Sequence, residues 1–196
     1  MEIKTLQVDG FTPALRAMRN PMDSWDRSDS IRGHVGKLDK ELSIKLQKAG
    51  PEHCKHLRLI VAWADITAPR YWWNEFDTYR AGVEKVSCST MHRLMARPLT
   101  EADFQNDSIT SLKPFLDSIN KEMEAYKAQE DPDAKKLIWR GIIQALPQSY
   151  QQKRTVMMSY AALRNMYRQR EGHKLKEWAM FREWVKRLPE SWMITE

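Results

Sequence analysis

The run of residues 57–66, LRLIVAWADI, constrains the fold more than any other part of the chain. Apolar residues alternate with their neighbours along it, as expected for a β-strand with one buried face: Leu57, Leu59, Val61 and Trp63. Pro69 follows shortly afterwards, and proline is favoured in the first turn of a helix. The sequence therefore predicts a central strand that leads into a helix.

That helix should end near Gly82, because glycine is favoured just beyond a helix C-terminus. Helical spacing would place Trp72, Phe76 and Tyr79 on one face. The opposite face would be mostly charged, with Trp73, Asp77, Arg80 and Glu84. The spacing thus predicts an amphipathic helix with an aromatic face and a charged face.

Other segments add one strand and several helices. Alternation predicts an edge strand at 2–8, and leucines four residues apart predict a helix at 37–49: Leu38, Leu42 and Leu46. Apolar periodicity predicts further helices at 108–128, 132–145, 155–169 and 173–187. The balance indicates an α+β protein with a small sheet and a large helical part. We expect a single domain over 1–196, with the sheet in 1–100 and the helical part in 101–196.

Residues 19–36 are rich in Asn, Pro, Asp, Ser and Gly, which is typical of a loop. The loop carries Trp25, Arg27 and Arg32. A loop of this length in a compact domain is either a functional lid or a plain surface excursion.

Composition narrows the partners. The chain has 196 residues and a formal net charge of +6, which suits either nucleic acid or a small phosphorylated ligand. The basic residues are scattered without a long Lys/Arg run, so a nucleic-acid partner is disfavoured. No stretch approaches the roughly 18 apolar residues of a membrane span, and the N-terminus lacks a secretion signal pattern. With only two cysteines, Cys54 and Cys88, we expect a cytoplasmic protein.

Common catalytic motifs are missing: the sequence contains no GxGxxG, GxxxxGK[ST], HExxH or GxSxG. His53 and His56 are the nearest pair to a metal site, and a metal there is disfavoured. The segment 149–177 is more informative, because several of its side chains can bind an anion or a base edge. It supports either a nucleotide site or the solvated basic face of a helix pair. Its polar residues are Tyr150, Arg154, Asn165, Arg168, Arg170, His173, Lys174 and Glu177.

Several stretches together resemble the flavin-dependent thymidylate synthases. They are Asp9-Gly10-Phe11, KAGPEHCKHLRLIVAWADITAP ending at Pro69, Ala145-Leu146-Pro147, and SYAALRNMYRQREGHKLKE at 159–177. The resemblance implies the fold of that family. It also places the helix after Pro69 on the family's signature, an Arg-His-Arg triplet followed by a Ser/Asn/Ser/Arg pattern.

Some positions match the family's site. Arg80 matches the last arginine of the triplet, and Ser89 matches the signature serine if one residue is inserted before it. Asn165 matches an asparagine that contacts flavin, and Arg170 matches the arginine that faces the substrate's uracil ring. His173 and Glu177 fit the motif just beyond.

Other positions depart from the family. Thr78 and Tyr79 stand at the first arginine and the histidine of the triplet, Met91 at the signature's final arginine, and Ile143 at a substrate-phosphate arginine. The flavin positions are changed as well: Ser159 and Ala161 replace an asparagine and an arginine, and Leu57, Arg58 and Leu59 replace a Phe-Glu-His run. Each charge-assisted bond lost costs about 1.5–3 kcal/mol. Four arginines elsewhere could replace the lost donors: Arg58, Arg140, Arg154 and Arg164.

The resemblance therefore implies a divergent member of phage or prophage type. We expect it to bind a nucleotide without turning it over, as a sensor or as a sponge that sequesters a nucleotide signal of antiviral defence. The alternative is a flavin-dependent methyl- or hydroxymethyltransferase of a pyrimidine nucleotide, and FAD is expected only in that case. The resemblance also implies a homo-oligomer, a tetramer or a dimer.

Specific roles follow for the expected ligand-binding residues. Arg80 and Arg170 would contact an anionic group or a base edge, Tyr79 and Trp73 would stack on a ring, and Ser89 would contact a phosphate oxygen. The full set of expected ligand-binding residues is Trp73, Tyr79, Arg80, Ser87, Ser89, Arg154, Asn165, Arg170 and His173.

Overall fold

A four-stranded antiparallel sheet runs through the protein in the order β1-β2-β4-β3. A computed structural model describes residues 1–31, 34–107 and 111–196. The strands are β1 (Glu2–Asp9), β2 (Val61–Pro69), β3 (Val83–Ser87) and β4 (Gln151–Ser159). Because β2 pairs with both β1 and β4, it is central, and β1 is an edge strand. Both of these positions agree with the sequence predictions.

Nine helices accompany the sheet within the described residues: α1 (Phe11–Met18), α2 (Lys37–Ala49), α3 (Arg70–Phe76), α4 (Thr90–Arg93), α5 (Lys113–Ala128), α6 (Pro132–Ala145), α7 (Tyr160–Gln169), α8 (Lys176–Lys186) and α9 (Trp192–Thr195). The α+β class is therefore confirmed. The predicted start of the fifth helix, at 108–110, lies outside the described residues. No described helix is long and apolar enough to cross a membrane.

The central strand begins later than its alternation indicates, and it buries the other face. Residues Lys55–Arg58 form a 3-10 turn, so Leu57 is buried in that turn and not in a strand. Within β2 the fully buried residues are Ala62, Ala64, Ile66 and Ala68, while Val61 and Trp63 are only half-buried. The prediction of the buried face was wrong because the inward row is mostly alanine. That small row belongs to the same core as several bulky rings: Trp72, Trp73, Phe76, Trp178 and Phe181.

Two strands were not expected from the sequence. Residues 155–159, predicted to begin a helix, complete β4, and α7 starts only at Tyr160. The first half of β4, Gln-Gln-Lys-Arg-Thr, is polar because its side chains remain partly or largely exposed. β3 is an edge strand with mostly exposed side chains. The second half of the chain is therefore not entirely helical, because it supplies an inner strand of the sheet.

Helix α3 is shorter than predicted, and both of its tryptophans are buried. The helix ends at Phe76, and a turn at 77–82 leads into β3. Trp72 and Trp73 are each 0% exposed, so the helix has no solvated face at Trp73. Tyr79 and Arg80 lie in the turn. The predicted division into an aromatic and a charged helical face was therefore wrong beyond Phe76.

Helix α2 occupies its predicted range but turns a polar row inward. Asp39, Ser43 and Gln47 are buried, whereas Leu38 is exposed. The Asp39 carboxylate accepts a bond from Arg19 Nε at 2.6 Å and another from the Ser28 hydroxyl at 2.6 Å. The described part of the 19–36 loop is therefore tied to α2 by buried polar contacts, while Arg32 lies outside the described residues.

Candidate functional site

An open groove lies between the Lys55–Arg58 turn and α7, and it has two lobes. The first lobe, about 300 Å³, is lined by residues that include Cys54, Leu57, Arg164 and Arg168. The second lobe, about 400 Å³, is lined by residues that include Ala81, Gly82, Ser159 and Ala162. Arg58, Ala161 and Asn165 line both lobes, so the two are continuous. We call this feature the arginine groove.

Local folding explains why these side chains face the groove. The Ser159 hydroxyl caps α7 by accepting a bond from the Ala162 N–H at 3.2 Å. The buried face of α7 comprises Tyr160, Ala162, Leu163 and Met166. Its other face therefore carries Ala161, Arg164, Asn165 and Arg168 outward. On the opposite wall, burial of His56 and Leu57 anchors the 3-10 turn and leaves Arg58 exposed.

The arginine groove is strongly cationic. Among the described residues, no aspartate or glutamate side chain lines either lobe. Arg164 donates to Cys54 Sγ at 3.3 Å and to the Glu196 carbonyl oxygen at 3.3 Å, and Arg168 donates to the same carbonyl at 2.6 Å. Desolvation, and then the neighbouring Arg164 guanidinium, lower the pKa of Arg168. The Arg58 side chain has no hydrogen-bond or ion-pair partner among the described residues.

Of the nine expected site residues, Asn165 lies in the groove and Arg80 lies at its edge. Asn165 lines both lobes. Arg80 is exposed, directly precedes the lining residue Ala81, and makes no side-chain hydrogen bond or ion pair within the described chain. Both side chains are therefore accessible to a ligand.

The two expected serines lie on and just after β3. Ser87 is exposed and pairs in register with Arg154 on β4. Ser89 caps α4, where its hydroxyl accepts a bond from the His92 N–H at 3.3 Å. Neither serine lines the arginine groove.

Trp73 and Arg154 form a closed contact instead of a ligand site. The Trp73 indole is 0% exposed and donates from Nε1 to the Gln152 carbonyl at 2.9 Å. The Arg154 guanidinium lies 4.2 Å from the centre of the Trp73 ring and donates to Asp77 Oδ1 at 2.8 Å. The expected stacking of Trp73 on a ligand ring is therefore wrong for this structure, because its own arginine covers it.

Tyr79, Arg170 and His173 converge with Glu75 and Trp178 in what we call the Glu75 cluster. Arg170 donates from Nη1 to Glu75 Oε2 and from Nε to the Tyr79 hydroxyl, each at 2.8 Å. Trp178 Nε1 also donates to Glu75 Oε2 at 2.8 Å. The Arg170 guanidinium lies 4.4 Å from the Trp178 ring centre. The cluster satisfies its own polar groups.

The His173 tautomer follows from its neighbours. The Leu175 N–H donates to Nδ1 at 3.1 Å, which assigns the proton of the neutral ring to Nε2. Nε2 lies 3.3 Å from Glu75 Oε2, so it can donate to that carboxylate. His173 is therefore a further donor to Glu75 within the cluster.

The sequence analysis thus named residues that the fold separates into three places: the arginine groove, the covered Trp73–Arg154 contact and the Glu75 cluster. Arg58 and Arg164, named as possible replacement donors, lie together in the groove, whereas Arg140 and Arg154 do not line it. Glu75 and Trp178 were not recognised as partners of Arg170, because residues so far apart in sequence meet only through the fold. Among the described residues no group of three metal-ligating side chains could hold a metal ion.

No protein-family model matches the chain, and no curated protein matches it significantly. Solved structures do. The flavin-dependent thymidylate synthase ThyX of Helicobacter pylori, complexed with FAD and dUMP, superposes with a TM-score of 0.72 at 18% identity, over 99% of this chain and 98% of that one. A second ThyX structure from the same organism, with FAD and dUMP, gives a TM-score of 0.71 at 18% identity, over 100% and 97%. The chain therefore has a flavin-dependent thymidylate synthase-like fold, as its resemblance indicates.

Proposed function

We propose that this protein binds a nucleotide, or a nucleotide-like molecule, in the arginine groove. One observation carries the proposal. Arg58, Arg164 and Arg168 surround a continuous groove that no described carboxylate lines. Guanidinium groups recognise phosphate with paired donors, and a groove of this size suits a small organic ligand.

We further propose that the protein does not turn its ligand over. Arg170 matches the arginine that faces the substrate ring in the resembled family, but here it is bonded to Glu75 and Tyr79. To engage a ligand ring it would have to leave these bonds, and each bond to a charged group contributes about 1.5–3 kcal/mol. Such a protein suits the role of a sensor, or of a phage-encoded sponge that sequesters a nucleotide signal in the cytoplasm.

The residues present do not fit a tightly held flavin. The resemblance places flavin contacts at several positions that here are Leu57, Thr78, Tyr79 and Ala161. Leu57 is fully buried, and the Tyr79 hydroxyl accepts from Arg170 within the Glu75 cluster. Asn165 and Arg80 alone do not replace the lost charged donors, so we derive no chemical step through a flavin.

A flavin-dependent transferase of a pyrimidine nucleotide is the second candidate. The observation that favours it is Asn165, which matches a flavin-contacting asparagine and lines both lobes of the groove. The visible absorption spectrum of the purified protein, before and after addition of FAD, distinguishes the two. We expect a colourless protein that does not retain FAD through gel filtration. Retained flavin together with methylation of a deoxyuridine nucleotide would establish the enzyme.

Among the residues expected from the sequence, we propose that Arg80 and Asn165 contact the ligand. Ser87 and Ser89 stay predictions, since both are on or just after the exposed strand β3. Tyr79, Arg170 and His173 would take part only after the Glu75 cluster opens.

We also propose a homo-oligomer, a tetramer or a dimer, as the resemblance implies. Large apolar side chains support it, because Val86 is 76% exposed and Leu137 is 69% exposed. Light scattering coupled to gel filtration should give two or four times the chain mass of 23.1 kDa. A mass equal to a single chain would contradict this proposal.

A further inference from the structure

We infer that the ligand of the arginine groove carries a phosphoanhydride, that is, at least two linked phosphates. Its phosphates would occupy the first lobe, and its sugar and base the second. This inference rests on the proposed function and adds the chemical class of the nucleotide.

Charge is the first argument. Three guanidinium groups face the first lobe or its junction with the second: Arg58, Arg164 and Arg168. A single phosphate ester carries about 1.5–2 negative charges at neutral pH. Since no described carboxylate lines the lobe, one phosphate would leave part of the cationic charge unmatched, whereas two linked phosphates match it.

The arrangement on α7 is the second argument. Arg164 and Arg168 are one helical turn apart and therefore project side by side. Two like charges at this spacing are unfavourable on their own, and the Arg164 charge lowers the pKa of Arg168. Both guanidiniums at present share one acceptor, the Glu196 carbonyl oxygen, and Arg164 Nε is buried without a partner in the described chain. Adjacent phosphates would supply the acceptors that this pair lacks.

The second lobe is suited to the uncharged part of the ligand. Apart from Arg58 at the junction, its lining includes only small or neutral side chains: Ala81, Gly82, Ser159, Ala161, Ala162 and Asn165. Small side chains leave a shallow surface on which a sugar or a flat ring can lie. The Asn165 amide can both donate and accept a hydrogen bond, as recognition of a base or a ribose requires. The groove thus has a charged end and a neutral end.

Calorimetric titration tests this assignment with matched probes. The wild-type protein is titrated with the mono- and diphosphates of adenosine, guanosine, cytidine and uridine, and with FAD. For any nucleoside that binds, we expect the diphosphate to bind about ten-fold or more tightly than the monophosphate, as one added charge-assisted contact predicts. Pyrophosphate should also raise the melting temperature more than orthophosphate does.

Variants locate the phosphates. Arg58→Gln and Arg168→Gln should reduce the preference for diphosphate to nearly none, while Arg140→Gln, an exposed arginine outside the groove, should leave it unchanged. Arg58 has no partner to lose within the described chain, so its variant should fold normally. FAD binding that is weakened by the same two variants would support the phosphate assignment and identify a dinucleotide as the source.

The outcomes separate this inference from the proposed function. Mono- and diphosphates that bind equally well would overturn the inference and leave nucleotide binding intact. If no nucleotide and no FAD binds, the proposed function itself fails. A diphosphate preference that survives both groove variants would place the phosphates elsewhere and contradict the assignment.

Discussion

At the scale of single residues, buried polar groups decide where this chain is sensitive. His56 is 3% exposed and lies 2.9 Å from the Ser43 hydroxyl. Burial, opposed by a backbone contact with His53 and reinforced by the Arg164 charge, lowers the pKa of His56 to about 4. The neutral ring is therefore part of the folded state, and protonation opposes folding.

This shift predicts a loss of stability in mild acid. The unfolded chain takes up the proton near pH 6.5, so the contribution of His56 is complete above that pH and is lost as the pH falls towards 4. The loss is on the order of 3 kcal/mol. Urea unfolding at pH 7 and pH 5 should show a steeper decline for the wild type than for His56→Gln, which keeps a polar group beside Ser43. Equal declines would show that another group controls acid sensitivity.

Arg80 and Arg170 should respond differently to truncation, although both match arginines of the resembled family. Arg80 is exposed and has no partner within the described residues, so Arg80→Ala should weaken nucleotide binding and leave the melting temperature unchanged. Arg170→Met should lower stability by roughly 1–3 kcal/mol, because Glu75 loses a charged partner. Thermal unfolding and titration of the two variants side by side check this. A large loss of stability in Arg80→Ala would instead assign that arginine a structural role.

At the scale of elements, the turn at 77–82 connects α3, β3 and the groove. Gly82 has φ +71°, and its carbonyl accepts the Ser159 N–H at 2.8 Å. A Cβ added at Gly82 would lie 2.3 Å from the Ser159 hydroxyl oxygen, which caps α7. The backbone geometry and the close approach both require glycine here.

Gly172 provides a matched control, because it has φ +63° but no heavy atom within 4 Å of an added Cβ. Gly172→Ala should therefore cost only the left-handed conformation, about 1–2 kcal/mol. Gly82→Ala should cost about 1 kcal/mol more, since the cap of α7 is also disturbed. Denaturant unfolding of the two variants measures the difference. Equal losses would mean that the Ser159 cap is not disturbed.

The elements also show what the sequence could predict. The β1 strand and helices α2 and α6 follow local patterns, and their predicted positions agree with the structure. β3 and β4 were missed because exposed strands carry polar residues without clear alternation. For the site, side-chain types and the resemblance indicated Arg80, Asn165 and Arg170. Only the fold shows that Glu75 already binds Arg170, since that contact joins distant parts of the chain.

At the scale of the whole molecule, the described residues form two hydrophobic cores. The larger one surrounds the sheet and includes Trp72 and Phe181, and the smaller one includes Leu116, Ile119, Met123 and Ile142 from the α5–α6 hairpin. The Phe104–Tyr150 bridge joins the segment before α5 to the residue that precedes β4. We propose that residues 1–196 nevertheless unfold as a single domain.

Truncations in the two cores test this proposal. Phe181 is 0% exposed and Ile142 is 2% exposed, so Phe181→Ala should cost about 3–5 kcal/mol and Ile142→Ala about 2–5 kcal/mol. In a single domain, both variants should keep one calorimetric transition that moves as a whole. Two separate transitions, with Ile142→Ala shifting only one, would show that the hairpin unfolds independently.

The central claim is that the arginine groove holds a nucleotide in a protein that has not kept a flavin. Mass spectrometry of the small molecules released from denatured protein tests it most directly, with wild type and Arg58→Glu purified in parallel. We predict that the wild type releases a nucleotide and no flavin, and that the charge reversal, at a residue lining both lobes, depletes the nucleotide. Stoichiometric flavin in the wild type, or a nucleotide retained equally by the variant, would contradict the account.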